Sequence, residues 1–212
     1  SIINYVDLLK RENIQDPKIQ GYLDILEAKA QRLKHLTEDV VEASKISSGN
    51  ITMQYMNINF VEMINQTTGE FTEKFEKRNL QIVLNVPEKP VMVRTDGRRM
   101  WRVIENIYNN AAKYALEGTR VYANLIEKEH TVEFSLKNIS EQPLNISADE
   151  LTERFIRGDV SRSTEGSGLG LSIAKNLTEL QGGKFELYLD GDLFKVTIVF
   201  PKAVVGQSVT KP

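Results

Sequence analysis

Thr119-Arg-Val-Tyr-Ala-Asn-Leu-Ile-Glu-Lys-Glu-His-Thr-Val-Glu-Phe-Ser-Leu-Lys-Asn138 is two runs of alternating apolar and polar residues joined by the polar turn Glu127 to His130. Alternation at period two reads as half-buried strands, and a connection this short turns the chain back on itself, so residues 119–127 and 131–138 form a β-hairpin. Asp190-Gly-Asp192 does the same for the runs 184–190 and 193–200. Outward from these hairpins, the pattern predicts strand 51–57, helix 59–77, strands 80–86 and 91–95, and helix 97–115. A short helix near 148–156, a loop to about 167 and a helix over 168–181 follow. Strands outnumber the parallel crossovers that a doubly wound sheet needs. The fold class is therefore α+β, a two-layer sandwich with helices on one face of a mixed, mostly antiparallel sheet. Strand parity adds a detail: Val132, Phe134 and Leu136 take the core side, so Asn138 shares it and Lys137 points away.

Composition narrows the function. The 212 residues are 41% hydrophobic and 26% charged, which suits one large or two small globular domains. Lys plus Arg number 27 against 29 Asp plus Glu, and a net charge of -2 supplies no positive field for nucleic acid or an anionic membrane. With no cysteine and two distant histidines, disulfides, thiol nucleophiles, Cys-ligated zinc and a histidine metal cluster are excluded, and an intracellular compartment is expected. No apolar run nears the roughly 20 residues that cross a bilayer, and the start lacks the pattern of a signal peptide.

Residues 1–48 have a helical period. From Asp16-Pro17, a helix-start signal, small or apolar residues recur at Ile19, Leu23, Leu26, Ala30, Leu33, Thr37, Val40 and Ser44, the four-three spacing of a bundle seam. Ile2, Val6 and Leu9 repeat the step and end near Arg11-Glu12-Asn13, so two helices form an antiparallel hairpin. At about 1.5 Å per residue the second spans about 40 Å and the first about half of that. The second helix is thus expected to lack a partner in this chain from Ala30 onward, leaving its seam for a longer first helix upstream of Ser1 or for another subunit. Taken alone, this stretch also suits a simple coiled-coil linker. The Ser47-Ser48-Gly49 break divides the chain into a truncated hairpin, 1–48, and a sandwich, 49–202; residues 203–212 carry no pattern and are expected to be a disordered tail.

Three features carry chemistry. Helix 97–115 holds Asn106, Asn109 and Asn110, a residue type disfavoured inside helices. Asn106, Asn110 and Lys113 share one face, opposite Val103, Ile104, Ile107 and Ala111. Such a stripe can meet a polyphosphate: the ammonium screens charge, an amide oxygen ligates Mg²⁺ and an amide N–H donates to phosphate. Gly166-Ser-Gly-Leu-Gly-Leu171 opens a helix and leaves uncovered amides at the positive end of its dipole, an anion cradle. Arg157-Gly-Asp-Val-Ser-Arg-Ser-Thr-Glu-Gly166, between the apolar anchors Leu151 and Phe155 and the glycine run, reads as a lid.

Together these residues carry a resemblance. Arg102-Val-Ile-Glu-Asn-Ile-Tyr-Asn-Asn-Ala-Ala-Lys-Tyr114 resembles the N box of bacterial sensor histidine kinases, Glu153-Arg-Phe-Ile-Arg-Gly158 their F box, and Gly166-Ser-Gly-Leu-Gly-Leu-Ser-Ile173 their G2 box. The hairpin resembles their dimerisation and histidine-phosphotransfer domain, so the likeness runs to about Pro201. It implies a Bergerat-type ATP-binding domain that transfers the γ-phosphoryl group of ATP to a histidine, and from there to a response-regulator aspartate. It also implies a homodimer through the hairpin and a cytoplasmic position, with any membrane anchor upstream. Carried over, Asn110 is the Mg²⁺ ligand and Asn106, Lys113 and Tyr114 line the nucleotide. Gly166 and the amides of Gly168, Leu169, Gly170 and Leu171 hold phosphates, and Arg162 is the lid cation.

Two departures matter. The family's G1 box, Asp-X-Gly-X-Gly, is absent; parity selects Asn138 as the adenine reader, a neutral acceptor in place of a charged one, with Ser140 and Gln142 where glycines would stand. Neither His35 nor His130 has the family's phosphoacceptor context, so both read as solvated and the acceptor is expected just upstream of Ser1. The alternatives are a nucleotide-responsive dimerising scaffold and an ATPase of the chaperone or mismatch-repair type. The hairpin argues against the last.

Overall fold

The computed structural model describes residues 2–12, 14, 16–49, 51–144 and 169–203. Two helices, α1 (Ile2–Arg11) and α2 (Pro17–Ser47), come first. Asp16 caps α2, accepting from the Lys18 amide at 2.8 Å ahead of Pro17 in the first turn, and so stops the chain from continuing as one helix. Val6, Leu23 and Ala30 are buried, and Lys10 of α1 bonds Asp24 at 2.7 Å and Glu27, the two carboxylates holding its ammonium well above the usual lysine range.

The sandwich follows as β1 (Tyr55–Asn59), α3 (Phe60–Glu76), β2 (Gln81–Asn85), β3 (Met92–Asp96), α4 (Gly97–Tyr114), β4 (Arg120–Glu127), β5 (Thr131–Ile139), α5 (Gly170–Leu180), β6 (Lys184–Asp190) and β7 (Leu193–Pro201). The main sheet has the order β2-β4-β5-β7-β6, parallel only between β2 and β4, so the class is the mixed, mostly antiparallel α+β sandwich that the hairpins imply. Tyr108 of α4 stacks on Phe134 of β5 with ring centres 6.3 Å apart, and Phe71 of α3 meets Tyr108 edge-on at 5.4 Å. Apolar side chains of α3, α4 and α5 thus close over one face of the sheet.

The structure corrects two expectations. The strand over 51–57 begins only at Tyr55 and belongs to a separate two-stranded sheet with β3, where Tyr55 pairs Asp96 and Asn59 pairs Met92. β3 stops at Asp96, which turns to cap α4, so residues 51–54 have no ladder to join; the Gln54 amide instead donates to the Asp96 carboxylate at 2.9 Å. The far half of α2 does have a partner in the chain. Asp39 and Glu42 bond arginines of α4, on the face beside the apolar seam, while Leu33 and Val40 of the seam stay 55% and 58% exposed. The expected short helix near 148–156 and the tail from 204 onward lie outside the described residues.

Candidate functional site

Asp96 sets the start of α4 by accepting from the Arg99 amide at 3.1 Å. Val103, Ile104, Ile107, Tyr108 and Ala111 turn into the core, which leaves Asn106, Asn110 and Lys113 along the outer stripe. At the far end Arg78 donates to the carbonyls of Ala112 (3.2 Å) and Lys113 and to the Glu141 carboxylate (2.8 Å), a cation placed at the negative end of the helix dipole. Glu141 N–H donates to the Tyr114 carbonyl and Leu116 N–H to that of Ile139, each at 2.8 Å. The end of α4 is thereby tied to the end of β5, where Asn138 stands.

The stripe forms one wall of a cleft of about 1130 Å³. Asn106, Asn109, Asn110, Lys113 and Tyr114 line it from α4, Glu70, Phe71 and Lys74 from α3 with Lys77 just past its end, and Gly170 and Leu171 from α5. The opposite wall is α2, through Lys29, Arg32, His35 and Asp39. In a chain of net charge -2, this cleft gathers basic side chains from three helices. Desolvation pushes the Lys74 ammonium below the usual lysine range, with Glu105 partly offsetting it, and Lys74 donates to Asn109 Oδ1. Lys113 Nζ sits 4.7 Å from the centre of the Tyr114 ring.

Two buried amides are left incomplete. Asn106 is 7% exposed and its Nδ2 has no hydrogen-bond partner among the described residues. Its Oδ1 lies 3.2 Å from where a Cβ on Gly170 would stand, so the glycine at the head of α5 is what lets the amide sit there. Among the described residues, no side chain makes a capping hydrogen bond at that helix start. Asn138, 3% exposed, lies on the core side as parity requires; its Nδ2 donates to the Ile139 carbonyl at 3.1 Å and its Oδ1 has no partner among the described residues.

The structure thus brings Asn106, Asn110, Lys113, Tyr114, Gly170 and Leu171 to one cleft, while Leu169, next in the chain to Gly170, is half-buried and not part of its lining. Asn138 is not on the cleft wall but is buried in β5. Arg162, Gly166, Gly168 and the Glu153–Gly158 segment lie outside the described residues. His35 keeps a largely exposed ring, with Nδ1 3.7 Å from Glu38, yet lines the cleft; His130 is exposed in its turn. Sequence reasoning missed Arg78, Lys74 and the whole α2 wall. The cation of Arg78 just past α3 was the one local signal for these.

Residues 95–204 match the family described as histidine kinase-, DNA gyrase B-, and HSP90-like ATPase. Sensor protein VanSC of Enterococcus gallinarum is 30% identical over 95% of this chain and 56% of its own length. Among solved structures, full-length ShkA in complex with AMPPNP aligns with a TM-score of 0.77 at 18% identity over 96% of this chain and 43% of that one. Histidine kinase ThkA in complex with the response regulator protein TrrA aligns with a TM-score of 0.66 at 22% identity, over 95% of this chain and 57% of that one. The chain spans about half the length of these proteins.

Proposed function

We propose that this chain, which belongs to the histidine kinase-, DNA gyrase B- and HSP90-like ATPase family and is homologous to sensor histidine kinases over both hairpin and sandwich, is the ATP-binding kinase core of a two-component sensor. The observation that carries the reading is the pair of incomplete buried amides. A buried polar group without a partner costs roughly 1–3 kcal/mol, which a ligand that completes it offsets. Asn106 Nδ2 is a donor suited to a phosphate oxygen, and Asn138 Oδ1 an acceptor suited to the adenine amino group.

The residues fit Mg²⁺ as well, because this ion keeps waters and takes one or two protein oxygens beside substrate phosphates, and Asn110 offers such an oxygen on the cleft wall. When bound, the ion neutralises charge on the phosphates. Lys113 adds a cation, Tyr114 a ring beside the nucleotide, and the amides of Gly168, Leu169, Gly170 and Leu171, after Gly166, the phosphate cradle, with Arg162 on the lid. Residues 1–48 serve as the dimerisation and phosphotransfer hairpin and 49–202 as the catalytic domain, with 203–212 a tail. The γ-phosphoryl group passes to a histidine other than His35 and His130, then to an aspartate of a response-regulator receiver domain; dimerisation uses the exposed seam of α2. No described helix is long and apolar enough to cross a membrane, and the anchor belongs to other segments of the sensor.

Titrating ATP with and without Mg²⁺ tests the site. Asn110→Ala should remove most of the metal-dependent gain in affinity; a variant that binds Mg-ATP like the parent overturns the assignment. Asn138→Ala should lose about 1 kcal/mol of ATP affinity. An ATP-to-GTP affinity ratio that it leaves unchanged would move base recognition elsewhere. The scaffold alternative rests on Asn138 offering one neutral acceptor, its Nδ2 being committed to Ile139, and labelled phosphoryl transfer by the longer sensor decides against it.

A further inference from the structure

The two ion pairs that join α2 to α4 fix a register. Arg102 bonds Asp39, and Arg99 bonds Glu42 at 2.8 Å, so three residues further along α2 corresponds to three residues back along α4. The helices run antiparallel with the same rise per residue. Continued toward the start of α2, the register sets His35 across the cleft from Asn106, and Arg32 across from Asn109 and next to Asn110. All of these side chains line the one cleft.

Arg32 stands out among them. Its side chain is half-buried, yet it has no hydrogen bond or ion pair with any described residue, in contrast to Arg102, which is bonded to Asp39, Glu42 and Glu105. Lys113, a cation of the opposite wall, likewise has no carboxylate partner among the described residues. Arg32 and Lys113 therefore face a strip of amides from opposite sides. A guanidinium presents a planar fork of donors that matches a phosphate group, and partial burial strengthens such a bond.

We propose that Arg32 of α2 is a phosphate-binding residue of the nucleotide site, so that the hairpin as well as the sandwich supplies a cation to the polyphosphate. The proposal rests on the reading of the cleft as an ATP site and deepens it. The Arg102, Asp39, Arg99 and Glu42 contacts hold α2 at the distance from α4 that this sharing needs. Nucleotide then bridges the two parts of the chain, and its binding favours the arrangement in which α2 and α4 are side by side.

Calorimetric titration of the 212-residue chain with Mg-ATP and, separately, with adenosine tests this. Arg32→Gln should weaken Mg-ATP by about tenfold, the scale of one charge-assisted bond, while leaving adenosine affinity and melting temperature unchanged. Arg32→Lys should recover part of the loss, since the charge returns without the fork. Equal Mg-ATP affinity for Arg32→Gln and the parent overturns the proposal. So does a loss that adenosine shares, because that is a general disturbance of the fold. The reading of the site is judged apart from this by Asn110→Ala: if Asn110→Ala loses Mg-ATP and Arg32→Gln does not, only the role of Arg32 falls; if the parent binds no Mg-ATP, the site reading falls with it.

Discussion

Helices α2 and α4 have the same kind of amphipathic pattern and use it in opposite ways. The 31 residues of α2 bury three side chains, whereas the 18 residues of α4 bury eight. In α4 the apolar face is laid on β5 and α3, and the face left over is the polar one, which is where the orphaned amide of Asn106 and the amide of Asn110 stand. In α2 the polar face finds the partner, through Asp39 and Glu42, and the apolar seam is left bare at Leu33 and Val40. Periodicity therefore says that a helix has two faces. Which face meets protein and which meets a ligand or a second subunit depends on what the rest of the chain brings to it.

The sharpest way to break this contrast is to shorten one apolar residue on each helix. Ile107→Ala, at a position with almost no exposure, should cost about 2–5 kcal/mol, read from the urea midpoint at unchanged slope. Leu33→Ala should stay within about 0.5 kcal/mol at concentrations where sedimentation finds monomers, and should weaken self-association at higher ones. A comparable cost for the two in the monomer would mean that the α2 seam is packed in solution and that the contrast is false.

The side of the contrast that belongs to α4 was legible in the sequence, because it rests on local signals. Parity along β5 put Asn138 among core residues, and it is 3% exposed; the apolar face of α4 came from spacing alone. What failed depended on distant residues. Ile51 and Met53 alternate correctly and are half-buried, but the partner strand ends at Asp96, so their stretch never enters a ladder. The α2 wall was invisible because Asp39 and Glu42 look like solvated helix charges until the register places arginines opposite them. Arg162, Gly166 and Gly168, read from the lid and the glycine run, lie outside the described residues.

A smaller effect is expected where the two helices meet. Burial works against the Arg102 charge, but the Glu105 hydrogen bond and the carboxylates of Glu105, Asp39 and Glu42 outweigh it and raise the guanidinium above its ordinary value. Arg102→Ala leaves Asp39, with its side chain 11% exposed, beside a lost cation, and should cost about 1–3 kcal/mol. A double-mutant cycle with Asp39→Ala isolates the pair. Coupling near zero would mean that this ion pair does not hold the two helices together in solution, and would remove the contact that distinguishes the polar face of α2 in the contrast.

The smallest effect probes how well the buried face of α4 is sealed. Burial raises the Tyr108 phenol from 10.0 to about 12, while its hydrogen bond with Thr68, at 2.8 Å, pulls the other way. Tyr108→Phe should cost about 1 kcal/mol at neutral pH, the worth of that bond. The sign of the pH dependence follows from a folded value above the unfolded one. The stability tied to the neutral phenol is fully present below pH 10 and is lost as the pH climbs toward about 12, because the unfolded chain ionises first. Phenylalanine has no proton to lose, so the advantage of the parent over Tyr108→Phe should shrink across that window and then reverse, as read from urea unfolding at stepped alkaline pH. A difference that stays flat there would mean that water reaches the Tyr108 hydroxyl, and that α4 is less thoroughly buried than its contrast with α2 requires.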